Sequence, residues 1–339
     1  MEKNEIMITG VAGFIGFSLA RSLLKDGTKI IGIDNINNYY STKIKIDRLK
    51  ILKKYKNFTF YKQDIRNKIG VKKIFNKHKL KIVYHFAAQA GVRHSIKKPD
   101  DYVSNNLVGF FNILDCSRLK DIKHFIFAST SSVYGLNKKL PFEQKDEVNH
   151  PSQFYASTKR SNELMAHSYS CIYNMNCTGV RFFTVYGPWG RPDMALFKFV
   201  ENIISNKPIK IFNYGKHLRD FSYIDDVVNC LKLIMKKYPK KKKNFISSNP
   251  SESSAPFQIL NIGNQSKVKL MDYIREIEKN IGIVSKKKYY KLQLGDIPVS
   301  YSKMTNTNKI INYKFKVNYK IGVKNFVFWF NKYFKIKFD

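Results

Sequence analysis

The stretch Thr9–Gly16, "TGVAGFIG", decides how the first half of this 339-residue chain is read. It follows a short apolar run, "IMIT". It opens a segment, "FIGFSLARSLLKDG", whose apolar positions recur at helical spacing and which stops at Gly27. Gly10, Gly13 and Gly16 therefore stand between a strand and the mouth of a helix, with Phe14 and Ile15 in the same turn. Glycines so placed let backbone N–H groups approach a pyrophosphate, and the helix N-terminus adds a partial positive charge. A second strand, "KIIGI", leads into Asp34 and Asn35. An acid at that strand end can accept bonds from both hydroxyls of an adenine ribose and repels a 2′-phosphate, so the expected cofactor is NAD and not NADP. Tight turns with a capping aspartate are the plain alternative.

Outward from this loop the alternation continues. "FTFYKQ", "KIVYHFA" and "HFIFAST" read as strands separated by helical stretches. The expected fold is α/β: a Rossmann-type doubly wound parallel sheet in residues 1–186, with a smaller C-terminal substrate-binding domain in 187–339. Part of 211–237 is expected to return to the first domain. Asp64 and Ile65 close the third strand, where they meet an adenine edge or simply make a strand-end turn. Ala87 and Ala88 follow the fourth strand, on the cofactor side. Residues 236–256, rich in Lys, Ser and Pro, read as an exposed insertion. In the tail, Val323, Phe326, Val327 and Phe330 recur at helical spacing and predict a last helix packed on its domain, in preference to one lying on a membrane surface.

Composition excludes several classes. No run of 18 apolar residues occurs, so no membrane span is expected. The segment "MEKNEIMITG" lacks the layout of a signal peptide. Cys116, Cys171, Cys177 and Cys230 show neither a CxxC pair nor metal spacing, which predicts reduced thiols, a cytoplasmic protein and no metal site. The formal net charge is +36, yet only 10 of the 61 basic residues are Arg. Phosphate and base recognition favours arginine's planar fork, so the excess reads as lysine bias and not as a nucleic-acid surface. It can still steer an anionic substrate.

Two further motifs carry chemistry. "YASTK" places Tyr155 and Lys159 four apart, on one face of a helix. A lysine ammonium beside a phenol favours the tyrosinate, so Tyr155 is expected to titrate below its usual value of about 10 and serve as a base toward a sugar hydroxyl. "ASTSSVYG" puts four hydroxyl residues, Ser129–Ser132, at the end of the fifth strand, with no acid among them.

In these residues the chain resembles the extended short-chain dehydrogenase/reductases, in the nucleotide-sugar epimerase and dehydratase group. The matching pieces are "TGVAGFIG", "DNINNYYSTKIKIDRL", "AAQAGVRHS", "ASTSSVYG", "YASTKRSNE", "PWGRPDMA", "RDFSYIDD" and "LGDIP"; together they most resemble UDP-glucuronate 4-epimerases. The resemblance implies a UDP-sugar substrate, NAD held as a recycled catalyst, a role in surface polysaccharide precursors, and a homodimer built from 99–118 and 153–173. It implies that Thr130 bonds the sugar O4 beside Tyr155, that Lys159 also holds the nicotinamide ribose, and that Arg219 binds the pyrophosphate. Gln293 stands in the base-binding region, where galactose-type epimerases have an arginine. Related dehydratases and decarboxylases carry an acid where this chain has Ser132, so inversion at C4 is expected in place of elimination. Ser131, Ser132, Thr184 and Arg191 are expected to hold a C6 carboxylate. Gln89 and Arg93 face the substrate side, Arg93 being open between an anion contact and a structural ion pair. His85 and His94 read as structural. The competing substrates are a UDP-N-acetylhexosamine or its uronate, and a UDP-glucuronate decarboxylase is the third reading.

Overall fold

The structure is a computed structural model that describes residues 5–336. The first four residues of the opening segment and the last three of the tail lie outside the described residues. The five expected strands form in order, β1 (Glu5–Thr9), β2 (Lys29–Asp34), β3 (Phe58–Lys62), β4 (Leu80–His85) and β5 (His124–Thr130), and a sixth follows, β6 (Cys177–Phe182). A seventh, Phe257–Ile262, pairs with the outer side of β6. All pair parallel, in the spatial order Phe257–Ile262, β6, β5, β4, β1, β2, β3.

The strands are nearly continuous apolar runs because both faces of the sheet are covered. Side chains alternate between two cores, as a period of two requires. Ile6, Ile8 and Ile126 join Phe17 and Leu23 of the helix Phe14–Lys25 on one face. Met7, Phe125 and Phe127 join Phe110 and Ile113 of the helix Phe110–Leu119 on the other. The helix Ile224–Ile234 packs on the first face, where the Leu231 carbonyl accepts from the Tyr84 hydroxyl at 2.8 Å and Lys232 pairs with Asp26 at 2.6 Å. That helix lies in the segment expected to return. The strand Phe257–Ile262 also sits in the large sheet, although a split at 186/187 groups it with the second unit.

The remaining chain packs around aromatic rings. Phe221 and Tyr273 stack at 3.8 Å between centroids, and Phe197 meets Phe326 and Phe330 of the last helix, Tyr319–Phe334. Val323, Phe326, Val327 and Phe330 are buried, as their spacing predicts. Residues 240–248 form an exposed loop.

The chain leaves β1 toward β2 and later returns to β4 on the opposite side. Strand order reverses there, and a crevice opens at the carboxyl ends of the strands.

Candidate active site

A cleft of about 920 Å³ occupies this crevice. Its floor is the glycine loop. Gly10 has φ +71°, a conformation that favours glycine, and a Cβ there would lie 2.7 Å from the Ala87 nitrogen. A Cβ on Gly16 would lie 2.3 Å from the Gly10 carbonyl oxygen, so the helix seats directly on the turn. Gly10, Gly13, Phe14, Ile15 and Gly16 all line the cleft. Asp34 closes this wall. Its carboxylate accepts from the Ala12 nitrogen at 3.0 Å and the Ile36 nitrogen at 2.8 Å. Burial pushes that carboxyl up, against these bonds and the charges of Lys45 and Arg48. A backbone cradle that any Cβ would fill, next to one buried acid, fits a dinucleotide. Asn35, Ala87 and Ala88 line the same wall, as does Ile65, whose side chain would meet a Cβ on Gly109 at 2.6 Å. Asp64 does not line the cleft. Arg66 holds it at 2.8 and 3.0 Å and Asn35 at 3.1 Å, so it is a strand-end ion pair.

The candidate reactive pair comes from the helix Phe154–Tyr173. Tyr155 and Lys159 both line the cleft, and Glu163 continues their spacing beneath them. Burial lowers Lys159 to about 7, and the opposing charge of Glu163 holds it from falling further. Glu163 is itself fully buried, accepting from Arg181 at 2.9 and 2.9 Å, from Arg160 at 3.0 Å and from the Ser129 hydroxyl at 2.6 Å. Tyr155 departs from expectation. Burial pushes its phenol above 10, and the Arg191 charge and the Thr130 side chain only partly oppose this. Desolvation of the phenolate outweighs the cations around it.

The helix is positioned through Asn106, in a widened π-helical turn, Val103–Gly109. The Asn106 amide donates to the Gln89 carbonyl at 3.0 Å and to Thr158 Oγ1 at 3.0 Å, and its oxygen accepts from the Gln89 nitrogen at 2.8 Å. One side chain thus ties the loop after β4 to the reactive helix. Gln89 lines the cleft.

From β5 the wall takes Ala128, Ser129 and Thr130. Ser131 and Ser132 follow in the 3₁₀ turn Ser131–Tyr134, which Thr130 caps by accepting from the Ser132 nitrogen at 3.2 Å. Both serines are half-buried.

The opposite wall is charged. Thr184, Arg191, Arg219, Arg93 and Gln293 line it, together with Lys198 and Lys210. Arg191 donates through Nε and one terminal nitrogen to Asp193 at 3.0 and 2.5 Å. Asp193 also accepts from the Tyr39 hydroxyl at 3.3 Å. Arg219 pairs with Asp296 at 3.0 Å and donates to the Pro298 carbonyl at 2.9 Å. The Arg93 guanidinium lies 4.7 Å from the Phe212 ring centroid. Gln293 Oε1 is buried with no partner among the described residues. His85 is fully buried against Thr9 at 2.8 Å, and burial with the nearby Lys159 charge lowers it to about 3, so it stays neutral. His94 lines the cleft edge and pairs with Asp101 at 3.3 Å.

Residues 6–248 match the NAD dependent epimerase/dehydratase family. The chain belongs to that family. It is 47% identical to protein CapI of Staphylococcus aureus over 98% of this chain and 99% of the relative. It is 38% identical to a probable UDP-glucuronate 4-epimerase of Rhizobium meliloti, over 97% of each. The fold is similar to that of the Bacillus cereus UDP-glucuronic acid 4-epimerase solved with UDP-glucuronic acid and NAD: TM-score 0.86, 30% identity, 97% of this chain and 99% of that one. A Thermotoga maritima UDP-glucose 4-epimerase, solved with UDP-glucose, is similar at TM-score 0.85 and 28% identity, over 97% and 99%.

Within this epimerase, several residues in or behind the cleft escaped the sequence reading. Lys45, in the lining, and Arg48, behind it, are buried cations three apart in "TKIKIDRL", on the helix Thr42–Leu52. Two cations at helical spacing among buried apolar positions were the available signal. Asp193 carried a weaker one, an acid two residues from Arg191. His217, Lys198 and Lys210 carried none, because each reaches the cleft only through the packing of separate segments.

Proposed function

We propose that the protein interconverts UDP-glucuronate and UDP-galacturonate by inverting C4 through a transient 4-keto sugar. The observation that carries this reading is Arg191, which shares the cleft with Tyr155 closely enough for its charge to act on the phenol. Asp193 engages Nε and one terminal nitrogen, and the Tyr39 hydroxyl also interacts with the guanidinium. A C6 carboxylate would join these partners on the guanidinium, with the Thr184 hydroxyl on the same wall.

Bound NAD would supply the acceptor for the C4 hydride and return it. Gly10, Gly13 and Gly16 would hold its pyrophosphate, Asp34 its adenine ribose, and Lys159 the nicotinamide ribose. Tyr155 would take the O4 proton and give it back, with Thr130 fixing O4. A phenol raised by burial needs cations to ionise, and Lys159 and Arg191 are the ones at hand. No acid stands at the end of β5, so the chain has nothing there to drive elimination. A C6 carboxylate next to a C4 ketone is a β-keto acid and tends to lose CO2. Fixing that carboxylate near the ring plane through Arg191 and Thr184 would suppress the loss. Arg219 would take the UDP pyrophosphate and Gln293 the base.

The same proposal includes a homodimer, a cytoplasmic location and the supply of uronates for surface polysaccharides. The dimer is supported by the exposed apolar side chains of Val103, Val108 and Phe111 in one stretch and of Leu164, Ile172 and Tyr173 in the other. The location is supported by four free cysteines. Incubation with UDP-glucuronate and no added cofactor, followed by NMR, tests the activity. The expected product is UDP-galacturonate without release of CO2. A UDP-pentose would indicate decarboxylation, and an unchanged sugar would direct the assay to N-acetylated or neutral UDP-sugars.

A further inference from the structure

Arg48 lies outside the cleft lining and is fully buried. One terminal nitrogen donates to the Ala12 carbonyl at 2.8 Å and to the Tyr40 hydroxyl at 3.1 Å. The other donates to the carbonyls of Trp189 at 2.5 Å and Gly190 at 3.2 Å. Ala12 sits inside the glycine loop, and its nitrogen is held by Asp34. Trp189 and Gly190 immediately precede Arg191. A single guanidinium therefore joins the loop that meets the cofactor to the loop that presents the cleft arginine.

The second loop needs holding. Trp189 has φ +64°, an unfavourable conformation for a bulky residue that persists only where its surroundings over-determine it. Its ring packs against Phe17 at 5.5 Å, Trp329 at 5.3 Å and Tyr333 at 5.1 Å. Its backbone carbonyl is held by Arg48. A planar fork can satisfy acceptors on two sides at once, which a lysine ammonium on a flexible stem cannot reproduce.

We propose that Arg48 is a positioning residue for specificity: it holds the Trp189–Gly190 turn so that Arg191 meets the sugar acid, and it makes that presentation depend on the seated glycine loop. The link runs from Asp34 through Ala12 and Arg48 to Gly190 and Arg191. The proposal rests on the uronate reading above. Arg219 and Gln293, which belong to the nucleotide end, lie outside this chain of bonds. Loss of the fork should therefore weaken recognition of the uronate and leave recognition of UDP intact.

The test is calorimetric binding of UDP and of UDP-glucuronate, with NAD in excess, by wild type, Arg48→Lys and Tyr40→Phe, alongside steady-state turnover. Arg48→Lys should bind UDP-glucuronate at least about tenfold more weakly and UDP within twofold of wild type. KM should rise while kcat stays within about threefold. Tyr40→Phe removes one of the four acceptors and should move in the same direction by about two- to fivefold; it decides the matter if Arg48→Lys does not fold. Equal weakening of UDP and UDP-glucuronate, or no change in either variant, overturns the proposal. A wild-type protein that binds the two ligands alike removes the uronate reading and this proposal together. A wild type that discriminates, with variants that discriminate equally well, removes this proposal alone.

Discussion

The two walls of the cleft are built on different principles. The cofactor wall is mostly backbone. Its glycines stand so close to Ala87 and to one another that no Cβ fits, and one buried acid, Asp34, closes it. The wall proposed for the sugar is mostly charge. Arg191 and Arg219 each arrive already paired, with Asp193 and Asp296. A backbone wall has one shape and tolerates little change. A wall of paired charges can exchange a partner for a ligand, and its specificity follows from which pair yields.

The largest expected effect lies at the seam between the walls. Tyr155→Phe should lower kcat by roughly 10²- to 10⁴-fold while NAD stays bound, measured as turnover and as nucleotide content of the purified protein. Retained turnover would mean that the base belongs to another group. On the cofactor wall, Gly16→Ala would place a Cβ 2.3 Å from the Gly10 carbonyl oxygen. It should cost about 2–3 kcal/mol in urea unfolding and release NAD. An unaffected variant would show that the backbone wall yields after all. On the sugar wall, Arg191→Gln should cost about 2 kcal/mol in kcat/KM for UDP-glucuronate, roughly thirtyfold, with the fold intact. Equal loss on UDP-glucose would deny the wall its selectivity for an acid.

The pH dependence of stability rests on Lys159. Its folded value of about 7 lies below the usual lysine value, so between the two the unfolded chain binds more protons. Stability should then rise with pH from about 7 toward 10. Lys159→Met should remove this contribution and flatten that part of the profile relative to wild type, as read from thermal or urea midpoints. Parallel profiles for the two proteins would mean that Lys159 is hydrated and ordinary.

Much of this site was legible beforehand for a physical reason. The glycine loop, Asp34 and the Tyr155–Lys159 pair are local patterns. Their geometry follows from a strand, a tight turn or one helix face, so spacing along the chain nearly equals placement in space. The hydroxyl run after β5 was legible only as composition. That Ser131 and Ser132 leave the strand in a 3₁₀ turn capped by Thr130 was not. The ionisation of Tyr155 was less legible. A lysine four residues away is visible in sequence, but the depth of burial that pushes the phenol up is not.

By itself the sequence determined the parallel sheet, the glycine loop and the shared helix face of Tyr155 and Lys159, because backbone conformation and helical periodicity are short-range properties. The tertiary structure alone decided that Arg48 bridges Ala12 and Gly190, that Asp193 and Asp296 hold the two arginines, and that Asn106 ties Gln89 to Thr158. Those contacts join residues far apart in the chain. Burial makes them strong, and burial exists only once the chain has folded.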